Sequence, residues 1–232
     1  NNSSLWADKF KTNYTLEEIE LFNDISFSKG YLRKWDKDIR VQVIGTPGPR
    51  CANIDSVIKI IEPLIAPLKI SRVQSNGNLI VHRGIESDTL KDYRGFAEYQ
   101  SLKQKKSIQK GVIYESQKAG YYTLMHEFEH ILGLNHPRKT YPFDLTIWGA
   151  DSPKNTTAEY HVGTKKPHNP EPVHVYFETW DDYNNFELRR RNEMLSEQEK
   201  KVIRMLYSPE LKSGLEQSVF MEKMGLKDNM GI

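Results

Sequence analysis

The chain of 232 residues carries 33 basic and 31 acidic side chains, so its formal net charge is only +2. Its 38% hydrophobic and 11% aromatic content indicates a folded domain with polar loops rather than a disordered chain. No basic stripe stands out beyond a short run at 103–106, which argues against a clustered nucleic-acid-binding face, and no segment approaches the roughly 20 apolar residues of a membrane span.

The first quarter of the chain predicts one helix and one strand. Residues 1–14 are expected to form an irregular arm. The sequence Thr15-Leu16-Glu17-Glu18 fits a capping box, in which two side chains satisfy the free backbone groups at a helix start, and it predicts a short helix to about Phe22. Apolar and polar residues alternate over 39–43, which is typical of a strand.

The next segment predicts a helix followed by two strands. Apolar residues recur every three or four positions over 54–68, which indicates a helix with one buried face. Pro63 and Pro67 should kink or shorten this helix, because proline cannot donate a backbone hydrogen bond. Two strands are expected at 70–74 and 79–82, around a turn.

The second half predicts two further helices around a long irregular stretch. Residues 84–107 have no clear pattern, and a strand is expected at 112–114. Helices are predicted over about 120–132 and from the capping box that begins at Ser196, whereas 137–190 lack periodicity. This order predicts an α/β (α+β) fold, in which a mixed sheet is backed by helices.

The strongest signal is a group of three histidines. Residues 126–136 read His-Glu-Phe-Glu-His-Ile-Leu-Gly-Leu-Asn-His. His126 and His130 stack on one face of a helix, because they are four residues apart. Gly133 can end the helix in the left-handed conformation, so that His136 returns towards the same point. Three nitrogen ligands with an open fourth position are typical of catalytic zinc.

A zinc ion held in this way would activate a water molecule for hydrolysis. A neighbouring carboxylate must then accept the proton of that water. Glu127 and Glu129 lie on either side of the mean histidine direction, so the spacing alone does not choose between them.

The eleven residues resemble the long zinc motif of the metzincins, and the matrixin-like members are the most similar. Downstream, Asn192-Glu193-Met194 and the following helix resemble the Met-turn and C-terminal helix of that family. The resemblance implies that Glu127 is the general base and that Met194 forms a hydrophobic floor beneath the metal. It also implies a sheet-containing upper part, a smaller C-terminal subdomain and a substrate cleft between them.

The resemblance divides the chain into three parts. Residues 1–35 are an N-terminal arm with a short helix, 36–207 are the metallopeptidase domain and 208–232 are a C-terminal tail. The domain has an upper part at 36–136 and a lower part at 137–207. Three features depart from the family: Glu129 stands where many relatives have glycine, and the connection from His136 to Met194 is long. In addition, Ser196 and not tyrosine lies two residues after Met194, so the extra tyrosine ligand of astacin-like relatives is not expected.

The function implied is a zinc-dependent endopeptidase that acts on protein or peptide substrates, with Zn²⁺ as cofactor. We expect a monomer without a nucleic-acid partner. A substrate strand is expected to pair near 111–116. The excursion at about 138–191 is expected to form part of the cleft wall below the zinc and to set specificity, and the alternative is a surface insertion unrelated to substrate. A catalytically silent zinc-containing binding module and a zinc hydrolase of non-peptide amides remain alternatives.

Three further features have alternative interpretations. Cys51, the single cysteine, is either an inhibitory ligand of the matrixin kind or a small loop residue. His161, His168 and His174 are either ligands of a second metal or solvated loop residues. The oxygen-rich residues 181–185 are either a calcium site or a polar turn.

The cellular location is expected to be secreted or cell-envelope. This expectation follows from the family resemblance and from the polar start at Asn1, which has no initiator methionine. The sequence does not show whether a targeting segment or a lipid anchor preceded this start.

Overall fold

A computed structural model of the chain describes residues 5–86, 93–141, 143, 145–147, 159–163 and 174–226. Within these residues the fold is mixed α/β (α+β), as the sequence predicts. The helices are α1 Leu5–Asn13, α2 Leu16–Ile25, α3 Ile54–Ile61, α4 Thr123–Leu132, α5 Trp180–Glu193, α6 Glu197–Leu206 and α7 Gln217–Met224. The strands are β1 Phe27–Ser28, β2 Tyr31–Leu32, β3 Ile39–Gly45, β4 Ile70–Val73, β5 Leu79–Ile85, β6 Gly95–Ser101, β7 Ile108–Ser116, β8 Glu159–Val162 and β9 His174–Phe177.

The central sheet of the described chain has five strands in the order β4-β3-β5-β7-β6. Strand β6 is antiparallel to β7, and the other neighbours are parallel. Strand β7 therefore lies between β5 and β6, and its backbone is paired on both sides. The prediction that a substrate strand pairs with 111–116 is wrong for this reason. Within the described residues, the free edge next to β7 belongs to β6.

The two strands predicted at 70–74 and 79–82 form, but they do not pair with each other. Strand β3 lies between them and pairs in parallel with both. Asn78 explains part of this arrangement, because its backbone N–H donates to the Arg40 carbonyl at 3.0 Å. Its side-chain oxygen accepts the Arg40 N–H at 2.6 Å. These two hydrogen bonds hold the connection between β4 and β5 against β3.

The helix predicted over 54–68 ends before the apolar pattern does, as its prolines indicate. Helix α3 ends at Ile61, and a single 3-10 turn at Glu62–Leu64 contains Pro63. Both predicted capping boxes are also present. The side chain of Thr15 accepts the Glu18 N–H, and that of Ser196 accepts the Glu199 N–H.

The expectation of an irregular arm at 1–14 is wrong for the part that the structure describes. Helix α1 buries Trp6, Ala7 and Phe10. Trp6 stacks on Phe220 of α7, with ring centroids 5.8 Å apart. The segments before and after the predicted metallopeptidase domain thus pack together, although the predicted boundaries at 35, 36, 207 and 208 stay predictions.

Helix α4 positions the histidines because it follows β7 directly and packs on the sheet. Its buried face carries Leu124, Phe128 and Ile131. At Gly111 of β7, an added Cβ would lie 2.9 Å from the Ile131 side chain, so this helix approaches the sheet closely. No helix in the described part of the chain is both long and apolar enough to cross a membrane.

The long excursion after the third histidine is described only in part. Its beginning belongs to the core, since Tyr141, Leu145 and Ile147 are buried. Further along, β8 pairs in parallel with β9. The residues at 148–158 and 164–173, which include His168, lie outside the described residues, so the expected role of the excursion in the cleft wall stays a prediction.

Candidate metal centre

The C-terminal end of α4 is built to return the chain to its own histidine face. Gly133 has φ +110°, a left-handed conformation that favours glycine, and an added Cβ would overlap the carbonyl oxygen of Arg33. The Gly133 N–H donates to the His130 carbonyl and the Leu134 N–H to the Glu129 carbonyl, both at 3.0 Å. These bonds close the helix at the glycine, as the sequence predicts.

The structure brings His126, His130 and His136 together at their Nε2 atoms. Nε2 of His130 lies 3.2 Å from that of His126 and 3.0 Å from that of His136. The third separation, between His136 and His126, is also 3.0 Å. The three residues can therefore hold one metal ion.

Two of the three imidazole rings have a tautomer that is fixed by the backbone. Nδ1 of His126 lies 2.8 Å from the Thr146 carbonyl oxygen, and Nδ1 of His130 lies 2.9 Å from that of Leu134. A carbonyl oxygen only accepts hydrogen bonds, so each Nδ1 must carry the proton. Nε2 of each ring then presents a lone pair to the cluster. Lone pairs this close repel one another unless a cation lies between them, which makes the cluster suited to a metal.

The position of His136 is set by the end of α2. The backbone N–H of its neighbour Asn135 donates to the Ile25 carbonyl at 2.7 Å. Two residues later, the N–H and Nε of Arg138 donate to the Asp24 carboxylate at 2.9 and 2.7 Å. Anchors on both sides hold the segment that carries the third histidine.

Glu127 and Glu129 occupy different environments. Glu127 is 6% exposed and lines the same cleft as the three histidines. Glu129 is completely buried and points away from the cleft towards Glu199 of α6. Burial raises the pKa of Glu129, and the negative charge of Glu199 raises it further. This difference, which the spacing of the two residues could not provide, leaves Glu127 as the carboxylate that faces the cleft.

Burial raises the pKa of Glu127 to about 8, and the nearby Glu115 carboxylate acts in the same direction. A divalent cation at the histidine cluster would have the opposite effect, because positive charge favours the ionised carboxylate. Glu115 is itself buried and accepts from Nε of Arg83 at 2.5 Å. This buried pair behind Glu127 was not predicted, since Arg83 and Glu115 are distant in the chain.

The cleft has a volume of about 880 Å³ and lies between α4 and the first half of β6. Gly95 allows this close approach, because an added Cβ would lie 2.5 Å from Oε1 of Glu127. Apolar and aromatic side chains line the cleft together with polar ones, a combination that is found in substrate sites. They include Tyr93, Phe96, Ala97, Tyr99, Tyr122 and Leu134.

Met194 lies at a sharp turn, and one residue, Thr146, contacts both this turn and His126 of the metal centre. Its φ of +55° is unusual for a residue with a side chain, and the side chain is buried. The Thr146 hydroxyl donates to the Met194 carbonyl at 2.9 Å, and the carbonyl of the same Thr146 contacts His126. The turn is thus adjacent to the site, although the proposed floor beneath a metal stays a prediction.

Among the other candidate residues, Cys51 can be placed relative to the cluster, whereas His168 lies outside the described residues. Cys51 is half-buried, with Sγ 3.8 Å from the Ala119 carbonyl, and it is not among the groups that converge on the histidines in the described chain. The structure does not describe the side chains of His161 and His174. Residues 181–185 belong to α5, so the interpretation as a polar turn is wrong. The Asp182 carboxylate there accepts the Thr179 hydroxyl at 2.7 Å.

Comparison of the chain with models of protein families, with curated proteins and with solved structures found no match.

Proposed function

We propose that this protein is a zinc-dependent endopeptidase of the metzincin type. One observation carries the proposal: three histidine Nε2 atoms converge at 3.0–3.2 Å in a cleft that Glu127 also lines. This combination provides a metal site and a candidate base in a space that is large enough for an extended peptide.

The donor set fits zinc. Three neutral imidazoles with an open fourth position are the pattern of catalytic zinc sites, although imidazole also suits copper, iron and nickel. Two nitrogens bound tetrahedrally to one zinc ion, each at about 2.0–2.1 Å, are about 3.3–3.4 Å apart. The observed separations of 3.0–3.2 Å are close to this value.

When bound, zinc supplies a lowered pKa for water and a polarised substrate carbonyl. The Glu127 carboxylate accepts the proton of the attacking water and donates it to the nitrogen of the leaving amine, so that the peptide C–N bond breaks. Its burial keeps bulk water away from this transfer, and Gly95 leaves room for the carboxylate beside β6.

Strand β6 offers the edge on which an extended substrate would bind. The Ser116 N–H donates to the Arg94 carbonyl, and the register pairs Gly95 with Glu115. In an antiparallel ladder the hydrogen-bonded and non-hydrogen-bonded pairs alternate. The backbone groups of Gly95 and Ala97 therefore face away from β7, where a peptide can add as a further strand.

The function is tested by incubating the protein with a peptide library in the presence of zinc. We expect cleavage of internal peptide bonds, loss of cleavage after addition of a chelator, and recovery when zinc is restored. Mass spectrometry of the products identifies the cleaved bonds. Zinc binding without any cleavage would favour the silent binding module, and hydrolysis of non-peptide amides alone would favour the other alternative.

Substrate binding at the β6 edge predicts an alternating response to N-methylation of a good peptide substrate. Methylation of every second N–H should lower kcat/KM by roughly 2- to 10-fold for each lost hydrogen bond. The intervening N–H groups point away from the strand, and their methylation is the matched control. Equal effects at all positions would contradict the strand-addition proposal.

A further inference from the structure

The Glu199 carboxylate is the centre of a hydrogen-bond network that reaches the metal site. Glu199 is completely buried. One oxygen accepts the backbone N–H groups of Thr146 and Ile147, the latter at 3.0 Å. The other oxygen accepts the Ser196 N–H at 2.8 Å and completes the capping box of α6. One side chain thus fixes a helix start and a loop 52 positions earlier in the chain.

Thr146 transmits this network to the histidine cluster. Its carbonyl oxygen accepts Nδ1–H of His126 at 2.8 Å, and its hydroxyl donates to the Met194 carbonyl. The bond at Nδ1 fixes both the tautomer and the direction of the ring, and therefore the point towards which Nε2 is aimed. For His130, the partner is the carbonyl of Leu134 at the end of the same helix. His126 depends instead on a distant segment.

The burial of Glu199 indicates a role beyond that of an ordinary cap. The other capping-box glutamate, Glu18, is also buried, but Nζ of Lys201 lies 2.6 Å from its carboxylate and neutralises it. Glu199 has no such basic partner among the described ion pairs, and burial raises its pKa to about 7. The energetic cost of burying this carboxyl is offset by three backbone donors, two of which lie in the loop that contacts His126.

We propose that Glu199 is a positioning residue of the metal centre, which aims the Nε2 atom of His126 by holding the Thr146 carbonyl in place. The proposal rests on the metal site of the proposed function, and it does not depend on peptide hydrolysis. Replacement of Glu199 should therefore change metal affinity and coordination even where no substrate is present.

The experiment compares Glu199→Gln with Glu18→Gln, since both variants neutralise a buried capping-box glutamate. Ser196→Ala is a second control, because it removes the other half of the α6 cap and leaves the Glu199 carboxylate in place. The zinc dissociation constant is measured by competition with a chelator. The absorption spectrum of the cobalt-substituted protein reports the geometry of the coordinating histidines.

We expect Glu199→Gln to weaken zinc binding about 10- to 100-fold, as is usual for groups that orient a ligand, and to alter the cobalt spectrum. The zinc dissociation constants of the two control variants should stay within about twofold of that of the original protein. If Glu199→Gln does not fold, Glu199→Asp is measured in its place, because it keeps the charge and shortens the reach to Thr146.

Unchanged affinity and spectrum in the Glu199 variant would overturn the proposal and leave Glu199 as a capping residue. An equal loss in Glu18→Gln would also overturn it, since the effect would then reflect stability alone. If the unmodified protein bound no zinc, the proposed function itself would fail, and the two failures are distinguished in this way.

Discussion

Replacement of His136 by alanine is expected to lower the affinity for zinc by more than about 100-fold, since the loss of a group that only orients a ligand already costs about 10- to 100-fold. The remaining Nε2 atoms of His126 and His130 would hold the ion from one helix only. Their rings are oriented by backbone carbonyls, so weak binding by this pair should persist. The same change at His126 or His130 should have an effect of similar size.

The measurement is the zinc content of each variant after dialysis against a chelator of graded strength. His82→Ala is the matched control, because His82 lies on β5 outside the cluster and stacks on Tyr114 with ring centroids 5.0 Å apart. Thermal unfolding of the metal-free proteins separates lost ligation from lost folding. If His136→Ala kept as much zinc as the unmodified protein at every chelator strength, the assignment of the third ligand would be wrong.

The histidine cluster could be predicted because its geometry is local. A spacing of four residues on a helix fixes the relation of His126 to His130, and Gly133 permits the turn that returns His136. The capping boxes at Thr15 and Ser196 are local in the same sense. Patterns of this kind are read directly from the sequence, since the atoms involved are separated by only a few peptide units.

Strand β6 escaped prediction because its pattern does not resemble a core strand. Two of its inward positions, Gly95 and Ala97, are small, and α4 approaches the sheet closely at Gly95. Small residues do not produce the alternation of apolar and polar side chains by which a strand is recognised. The close packing of α4 on β6 beside the cleft therefore leaves β6 without this sequence pattern. The wrong choice of 111–116 as the substrate edge followed, because this segment comes just before the motif helix and β6 was not expected beside it.

The contacts that orient the histidines are long-range and could not be predicted. Thr146 contacts His126 across 20 positions, and Glu199 contacts Thr146 across 53. The sequence identifies Glu199 only as half of a capping box. Its second role depends on how the chain returns from the excursion, and no local pattern encodes that return. The different surroundings of Glu127 and Glu129 likewise follow from the packing of α4 between β6 and α6.

Glu127→Gln is expected to keep zinc and to lose nearly all hydrolysis. The amide preserves the size of the side chain beside Gly95, so the cleft should keep its shape. It cannot accept the proton of the attacking water, and general acid–base catalysis contributes about 10² to 10⁴ in rate. We therefore expect kcat to fall by at least about 100-fold, with zinc content unchanged. The measurement is kcat and KM on a peptide from the library, with metal content determined on the same samples.

Glu129→Gln is the matched control for this prediction, because it makes the same chemical change two positions along the same helix. Burial raises the pKa of Glu129 well above its usual value, and the charge of Glu199 acts in the same direction, so the uncharged form is favoured. The substitution introduces an uncharged side chain of the same size at a buried position away from the cleft, and kcat should change by less than about tenfold. A loss below tenfold in Glu127→Gln would point to another base, and a larger loss in Glu129→Gln than in Glu127→Gln would reverse the assignment.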